Sequence, residues 1–319
     1  MDNKRFVVSS TPHTRSDETI ESIMRHVLLA LAPATAMAIY YFGLRALLVI
    51  VLSCAACVLF ELAYQKAVKQ PVTALDCSAV VTGLLLAFNL PASSPFWMPI
   101  VGSFFAIVIV KQLFGGLGQN FLNPALAGRA FLMAAYTPQM SGAWTAPTRN
   151  PFSIDAVSSS TPLIMLKETD FIPAAGDMLN ALLGNTAGCI GETCALALIL
   201  GGLYLLWKKV ITWHIPFAYI GTVFIATSLI GRHGLLTGQG LYEILTGGLM
   251  LGAIFMATDY TTSPMSDTGK LIMGIGCGLL TVIIRIFGGY PEGVSYSILI
   301  MNLFVPLLDK YCKPRVFGT

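Results

Sequence analysis

The most informative feature of this 319-residue sequence is its shortage of charge. Only 11% of its residues are charged, whereas a soluble domain usually carries roughly 25%. In contrast, 55% of the residues are hydrophobic and the mean hydropathy is +0.73. One aqueous core cannot bury so much apolar surface, so the composition predicts a membrane protein. The net charge of +3 is small and divided among loops, so it does not indicate a nucleic-acid partner.

The sequence also lacks the motifs of several soluble functions. It has no Walker loop, no H-E-x-x-H and no dinucleotide fingerprint after a strand, so we expect this chain to bind neither ATP nor NAD itself. Its 4 histidines are too dispersed for a metal site. The C-x-x-C of Cys54 and Cys57 lies in an apolar run without a second pair, which favours small hydrophobes over metal ligands. A disulfide between Cys189 and Cys194 stays possible.

Apolar segments divide the chain into two blocks. The first 21 residues are polar and charged, so we expect no cleavable signal sequence. Ten apolar segments follow, at 22–42, 44–64, 77–90, 95–112, 124–137, 187–207, 212–230, 244–258, 269–288 and 293–308. The predicted organisation is a cytoplasmic N-terminal segment (1–21), a first five-helix block (22–137), a periplasmic loop (138–186), a second five-helix block (187–308) and a cytoplasmic tail (309–319).

Lysine and arginine predict the orientation of these segments. With a cytoplasmic N-terminus, 13 of the 19 Lys and Arg residues fall on the inside, as the positive-inside rule requires. Both termini are therefore expected in the cytoplasm and residues 138–186 on the outside. The predicted location is a bacterial inner membrane.

The two blocks resemble each other. Phe114-Gly115-Gly116 and Phe287-Gly288-Gly289 follow a basic residue at the end of the fourth segment of each block, and a Ser-Pro pair follows each third segment. Because five is odd, the second block must be inverted relative to the first. The predicted fold class is therefore an all-α polytopic membrane protein with about ten transmembrane helices in two inverted five-helix repeats, some helices being short or broken. Chance Gly and Ser-Pro punctuation at helix ends is the alternative.

The breaks in the short segments are candidate functional positions. Asn89-Leu90-Pro91 and Thr258-Asp259-Tyr260 interrupt apolar runs, and irregular backbone at membrane depth must line protein or a wet cavity. Asp259 is interpreted either as a helix-start cap in a cytoplasmic loop or as an ion or proton ligand.

Three stretches carry a resemblance to a known family. They are GGLGQNFLNPALAGRAFL at 115–132, DAVSSSTPL at 155–163 and FMATDYTTSP at 255–264. The chain resembles the D subunits of Rnf complexes, the ion-translocating ferredoxin:NAD oxidoreductases. It is also similar to the B subunits of sodium-translocating NADH:quinone reductases. The resemblance covers nearly the whole chain.

The resemblance implies a covalently bound flavin. In that family the pattern D-x-x-(S/T)-G-A-T carries FMN through a phosphoester to its last threonine, which implies Asp155, Ser158 and the acceptor Thr161. This sequence has Ser159-Ser160 where Gly-Ala is usual, so adjacent hydroxyls compete for the assignment. Pro162 favours an extended Thr161, and we expect its hydroxyl to be exposed to a modifying enzyme.

The resemblance also implies a second, noncovalent flavin, riboflavin or FMN, toward the cytoplasmic side. Asn120 and Asn123 offer donors and acceptors that suit the edge of a flavin ring, while Asn123-Pro124 is equally a helix start. Placing the charged side chain of Arg129 at membrane depth costs free energy unless the charge is paired. This side chain is expected to bind a backbone carbonyl or Glu61, or else a flavin or another protein of the complex.

Two further acids are candidate site residues by their position in the sequence, and the resemblance implies the function. Glu192 and Glu292 are expected at the membrane edge, as interfacial residues or along an ion path. The chain is expected to be a subunit of a redox-driven ion pump, not catalytic alone, with the flavoprotein G subunit, iron–sulfur subunits, membrane lipid and a flavin transferase as partners. The alternatives are a channel or transporter for a small polar solute without redox work, and a structural anchor for redox partners.

Overall fold

The computed structural model describes residues 18–73, 76–142, 144–147, 159–168, 171–231, 234–235, 239–290 and 292–313. These residues are mainly helical, and a two-residue antiparallel pair, β1 (Ile230–Gly231) with β2 (Gly234–Leu235), is the strand structure among them. The first half contains α1 (Ile20–Val68), α2 (Ser78–Phe88), α3 (Trp97–Phe104), the π-helical segment π1 (Phe105–Gln112), α4 (Pro124–Ala135) and α5 (Thr137–Ser141). The short helices α6 (Pro162–Glu168) and α7 (Ala175–Leu183) follow. The second half contains α8 (Ala195–Trp207), α9 (His214–Leu229), α10 (Gly240–Leu245), α11 (Leu249–Leu251), the π-helical segment π2 (Gly252–Met256), α12 (Asp267–Phe287) and α13 (Val294–Tyr311).

The first helix consists of two segments. Gly43 has φ 68° and ψ −156°, a conformation that only glycine adopts without strain, so the 49-residue α1 bends there. The division predicted between 22–42 and 44–64 is therefore confirmed. Thr19 begins the helix, accepting a hydrogen bond from the Ser22 amide at 3.2 Å.

The second half begins its first helix later than the sequence predicts. Residues 187–194 are not helical, and α8 starts at Ala195. Instead, Ile190 N donates to Leu90 O and Gly191 N donates to Phe88 O, both at 3.0 Å. Gly191 is required in this contact, because a Cβ there would lie 2.1 Å from the Phe88 ring. Backbone carbonyls at the end of α2 and just after it thus accept hydrogen bonds from residues 190 and 191.

The distribution of polarity is the reverse of that in a soluble protein. Large apolar side chains are exposed along the helices, including Leu59 on α1, Phe217 on α9 and Phe287 on α12, while buried charges such as Arg285 lie inside. Lipid favours this arrangement, since it solvates apolar faces and cannot solvate ions. Two helices of the described residues, α1 and α12, are long and apolar enough to cross a membrane, and the other apolar helices are shorter.

Small residues allow the helices to pack closely. A Cβ at Gly201 on α8 would lie 2.2 Å from the Ala30 carbonyl oxygen of α1, and one at Gly83 on α2 would lie 2.7 Å from the Cys54 Cα. Such approaches are typical of helix contacts within membranes. All seven cysteines are free, so the possible Cys189–Cys194 disulfide is absent.

Candidate functional site

A buried arginine forms the centre of a polar cluster inside the helix bundle. Arg129 lies on α4 and is 3% exposed. Its Nη1 donates to Asn89 Oδ1 at 2.8 Å, to Ser295 Oγ at 2.9 Å and to Glu192 Oε1 at 3.1 Å. Its Nη2 donates to the Glu292 carboxylate. One guanidinium therefore joins the end of α2, the loop before α8 and the start of α13.

These contacts correct three expectations. Glu61 does not pair with Arg129, because it forms an ion pair with Lys111, Nζ to Oε1 at 2.9 Å. Glu192 and Glu292 are not interfacial, since they are 4% and 7% exposed. Sequence spacing could not reveal this, because the two acids reach Arg129 across 63 and 163 residues of chain.

An outer cavity of about 210 Å³ opens beside this cluster. Arg129, Glu292 and Ser295 form part of its wall, together with the side chains of Trp144, Lys167, Tyr290 and Tyr296. Trp144 Nε1 is buried and has no hydrogen-bond partner among the described residues. Lys167 donates to the Gly288 carbonyl. The cavity therefore combines aromatic surface, an unused donor and a cation. Trp144 and Lys167 were not predicted as site residues, since neither lies in a sequence motif that indicates a binding site.

Thr161 lies next to this cavity but its side chain is not on the surface. It is 5% exposed, and its Oγ1 accepts a 3.4 Å hydrogen bond from Ile164 N at the start of α6. The prediction that the Thr161 hydroxyl is exposed is therefore wrong for the folded, unmodified chain, because the packing of α6 buries this residue. Asp155 and Ser158, the other predicted pattern residues, lie outside the described residues.

A small pocket of about 10 Å³ separates Thr161 from the buried acids. Its wall includes Thr161, Thr193, Gly247 and both Glu192 and Glu292. Because Glu292 also lines the outer cavity, the two spaces share a wall. Thr161 and Arg129, predicted from different motifs, thus belong to one region.

A second, inner cavity of about 90 Å³ brings two other predicted motifs together. Asn120 and Asn123 line it with Lys111, Thr261 and Asp259. Asn120 Nδ2 donates to Thr261 Oγ1 at 2.9 Å across 141 residues of chain. The stretches 115–132 and 255–264 therefore meet at this cavity.

The amide groups of the two asparagines already have protein partners. Asn123 Oδ1 accepts from Ala125 N at 3.1 Å and Leu126 N at 3.3 Å, and its Nδ2 donates to Met256 O at 3.2 Å. Asn123 is therefore the N-cap of α4, with Pro124 in the first turn, and the predicted helix start is confirmed. Asn120 Nδ2 donates to Leu122 O at 3.0 Å as well as to Thr261.

Asp259 is not a helix cap. Its Oδ2 accepts from Thr261 Oγ1 at 2.9 Å and from Thr262 Oγ1 at 3.2 Å, whereas α12 starts later with Ser266 as its cap. Burial raises the pKa of the Asp259 carboxyl, and the two hydroxyl hydrogen bonds oppose that rise. The acid therefore holds the turn after π2 together.

A buried ion pair at the inner cavity was not predicted from the sequence. Lys111 is 1% exposed and also donates to Ser78 Oγ at 2.7 Å, while Gln112 Nε2 donates to Glu61 Oε1 at 2.6 Å. Consecutive residues of π1 thus contact one carboxylate. The signal was present, because Glu61 and Lys111 are charges within apolar segments.

Comparison with known proteins agrees with these motifs. Residues 7–318 match the model of the NQR2, RnfD, RnfE family. The chain is 49% identical over 320 residues to the D subunit of the Na(+)-translocating ferredoxin:NAD(+) oxidoreductase complex of Acetobacterium woodii, covering 100% of this chain and 97% of that protein. It is 45% identical to the D subunit of the proton-translocating ferredoxin:NAD(+) oxidoreductase complex of Clostridium ljungdahlii, covering 98% and 96%. The D subunit of the ion-translocating oxidoreductase complex of Stutzerimonas stutzeri is 40% identical, covering 94% and 92%.

The predicted resemblance is therefore confirmed over the whole chain. The relatives are named as subunits of ion-translocating oxidoreductase complexes, which agrees with a chain that is not catalytic alone. On this match, the chain belongs to the NQR2, RnfD, RnfE family.

Proposed function

We propose that this chain is a membrane subunit of a redox-driven ion pump of the ferredoxin:NAD oxidoreductase type, with FMN esterified to Thr161. The observation that supports it best is the position of Thr161 beside a cavity suited to a flavin ring. The flavoprotein and iron–sulfur subunits of such a complex would be its electron-transfer partners.

The outer cavity fits the aromatic part of FMN. Trp144, Tyr290 and Tyr296 provide flat apolar surface, and the unpartnered Trp144 Nε1 suits an acceptor at the ring edge. The volume of about 210 Å³ is below the ~300–1,000 Å³ of whole-ligand pockets. We therefore assign the ring to the cavity and the ribityl chain to the path toward Thr161.

The residues of this cavity would set its electrostatics. Arg129 is already neutralised by carboxylates, whereas the hydrogen bond of Lys167 goes to a neutral backbone carbonyl. Lys167 is thus the side chain that would favour added negative charge in the cavity. Bound FMN would supply one- and two-electron chemistry, while Trp144 and Lys167 orient and bias the ring.

Attachment requires access to a hydroxyl that is buried in the folded chain. The Thr161 oxygen would bond to the phosphorus of a flavin donor as a leaving group departs and the hydroxyl proton passes to the transferase. Because Thr161 is 5% exposed, we infer that the transferase acts before residues 159–168 pack or displaces them.

The second, noncovalent flavin, riboflavin or FMN, is assigned to the inner cavity between Asn120, Asn123 and Asp259. This cavity measures about 90 Å³, and the side-chain amides of both asparagines already have hydrogen-bond partners. Binding would require the cavity to widen, and the remaining acceptor of Asn120 is the group available to the ring.

The transported ion is proposed to be Na+ or H+, since the relatives are named for both. We place ten transmembrane helices in two inverted repeats. In support, the start of α4 contacts the end of π2 through Asn123 and Met256. Arg129 correspondingly links the end of α2 to the start of α13, through Asn89 and Ser295.

The experiment is fluorescence of the full chain in a denaturing gel after co-expression with a flavin transferase. Wild type and Ser160→Ala should give a fluorescent band, and Thr161→Ala should give none. A band in Thr161→Ala would contradict the assignment. Absence of a band in wild type would favour the solute channel or the structural anchor instead.

A further inference from the structure

One of the two acids that line the small pocket beside Thr161 has an unpaired carboxylate oxygen. Glu192 is 4% exposed, and its Oε1 accepts from Arg129. Its Oε2 is buried without a hydrogen-bond partner in the described part of the chain. Since buried carboxylate oxygens are nearly always satisfied, this atom indicates something additional in the pocket.

The charges of the cluster around Arg129 do not balance. Two buried carboxylates, Glu192 and Glu292, contact one guanidinium, that of Arg129. The contacts thus contain one positive charge and two negative charges. An uncompensated charge at this depth is strongly unfavourable, so one further positive charge is required.

The surrounding groups do not provide it. Arg285 is another buried cation nearby, and its Nη1 lies 3.5 Å from Glu243 Oε2 while its Nε donates to the Glu292 carbonyl. Cys189 lies within 4.8 Å of both acids and is a neutral thiol that donates to the Asn89 carbonyl. Arg285 already has an acidic partner and Cys189 carries no charge. Lys167 lines the outer cavity with Glu292, but it donates to the Gly288 carbonyl and does not line the small pocket.

The pocket is suited to a small occupant. Its volume is about 10 Å³, which is close to that of one water-sized sphere. The hydroxyl-bearing side chains of Thr161, Thr186 and Thr193 line it with the two acids, and hydroxyl and carboxylate oxygens are hard ligands that suit hard cations. A neutral water bridging to the unpartnered Nη2 of Arg285 would fill the space but leave the charge uncompensated.

We propose that Glu192 Oε2 binds one monovalent cation in this pocket, either a proton on the carboxylate or a sodium-sized ion held with the threonine hydroxyls. The bound charge neutralises the Arg129–Glu192–Glu292 cluster. The proposal does not depend on a flavin at Thr161.

The test is infrared spectroscopy of the full chain in nanodiscs at neutral pH, in choline buffer and with NaCl added. A proton at this site predicts the C=O stretch of one protonated carboxylic acid. Glu192→Gln should remove it, Glu192→Asp should shift it, and the exposed control Glu21→Gln should leave it unchanged. If a sodium-sized ion binds instead, NaCl should abolish this band or raise the Tm of the wild-type chain, whereas choline chloride should do neither. The Tm of Glu192→Gln should then not change when NaCl is added.

Either result supports the site and identifies its occupant. The proposal is overturned if wild type has no carboxylic acid band that depends on Glu192 and shows no sodium-specific rise in Tm. Should Glu192→Gln not fold, Glu192→Asp replaces it in the test. The proposal is then overturned if Glu192→Asp leaves the carboxylic acid band unshifted and also responds to NaCl no differently from choline chloride.

Discussion

Replacing Arg129 by methionine should be among the most destabilising single substitutions in this chain. Methionine retains an apolar stem but removes the guanidinium, so Glu192 and Glu292, which are 4% and 7% exposed, lose the positive charge that both contact. Breaking a buried ion pair by removing one partner lowers the free energy of unfolding by ~3–5 kcal/mol. The loss of donors to Asn89 and Ser295 acts in the same direction.

The measurement is reversible unfolding of the full chain in mixed micelles, with Arg25→Met as the matched control. Arg25 pairs with Glu21 on the exposed surface of α1, where an i,i+4 pair contributes only ~0.3–0.5 kcal/mol. Adding Glu192→Gln and Glu292→Gln to Arg129→Met should recover most of the loss. If Arg129→Met is no more destabilised than Arg25→Met, the cluster is not the buried network described above.

Three further substitutions test packing, pairing and capping. Gly201→Ala should lower the free energy of unfolding by ~1–3 kcal/mol in the same assay, because its Cβ would lie 2.2 Å from a carbonyl oxygen of α1. The control Gly221→Ala has open space around the new Cβ and should leave the free energy of unfolding unchanged or raise it by ~0.4–1 kcal/mol. Equal effects of the two substitutions would refute the close approach of α8 to α1. Lys111→Met should cost ~3–5 kcal/mol and be largely rescued by Glu61→Gln; absence of rescue would argue against their pairing. Asn123→Ala should cost ~0.5–2 kcal/mol through loss of the helix cap, and an unchanged midpoint would contradict it.

Features encoded locally could be predicted from the sequence. The helical segments follow from apolar length, the bend in α1 from Gly43, and the start of α4 from Asn123-Pro124. Each depends on a few adjacent residues whose backbone preference decides the structure.

The polar interior could not be predicted in this way. Arg129 was recognised as needing a partner, but Glu61 was as plausible as Glu192 or Glu292, since side-chain pairing across helices depends on packing that spacing does not encode. The burial of Thr161 was missed for the same reason, because Pro162 indicates a local break but not the surface against which α6 packs. The non-helical conformation of residues 187–194 was not predicted, because their apolar composition fits a helix. Their backbone amides instead donate hydrogen bonds to carbonyls at the end of α2 and just after it.

Esterification of FMN to Thr161 is tested most directly by the mass of the proteolytic peptide that contains this residue, from cells that express a flavin transferase. We expect a mass increased by FMN less one water, with fragmentation placing the addition on Thr161. Recovery of the unmodified peptide alone, or an addition on one of the neighbouring serines, would contradict this assignment.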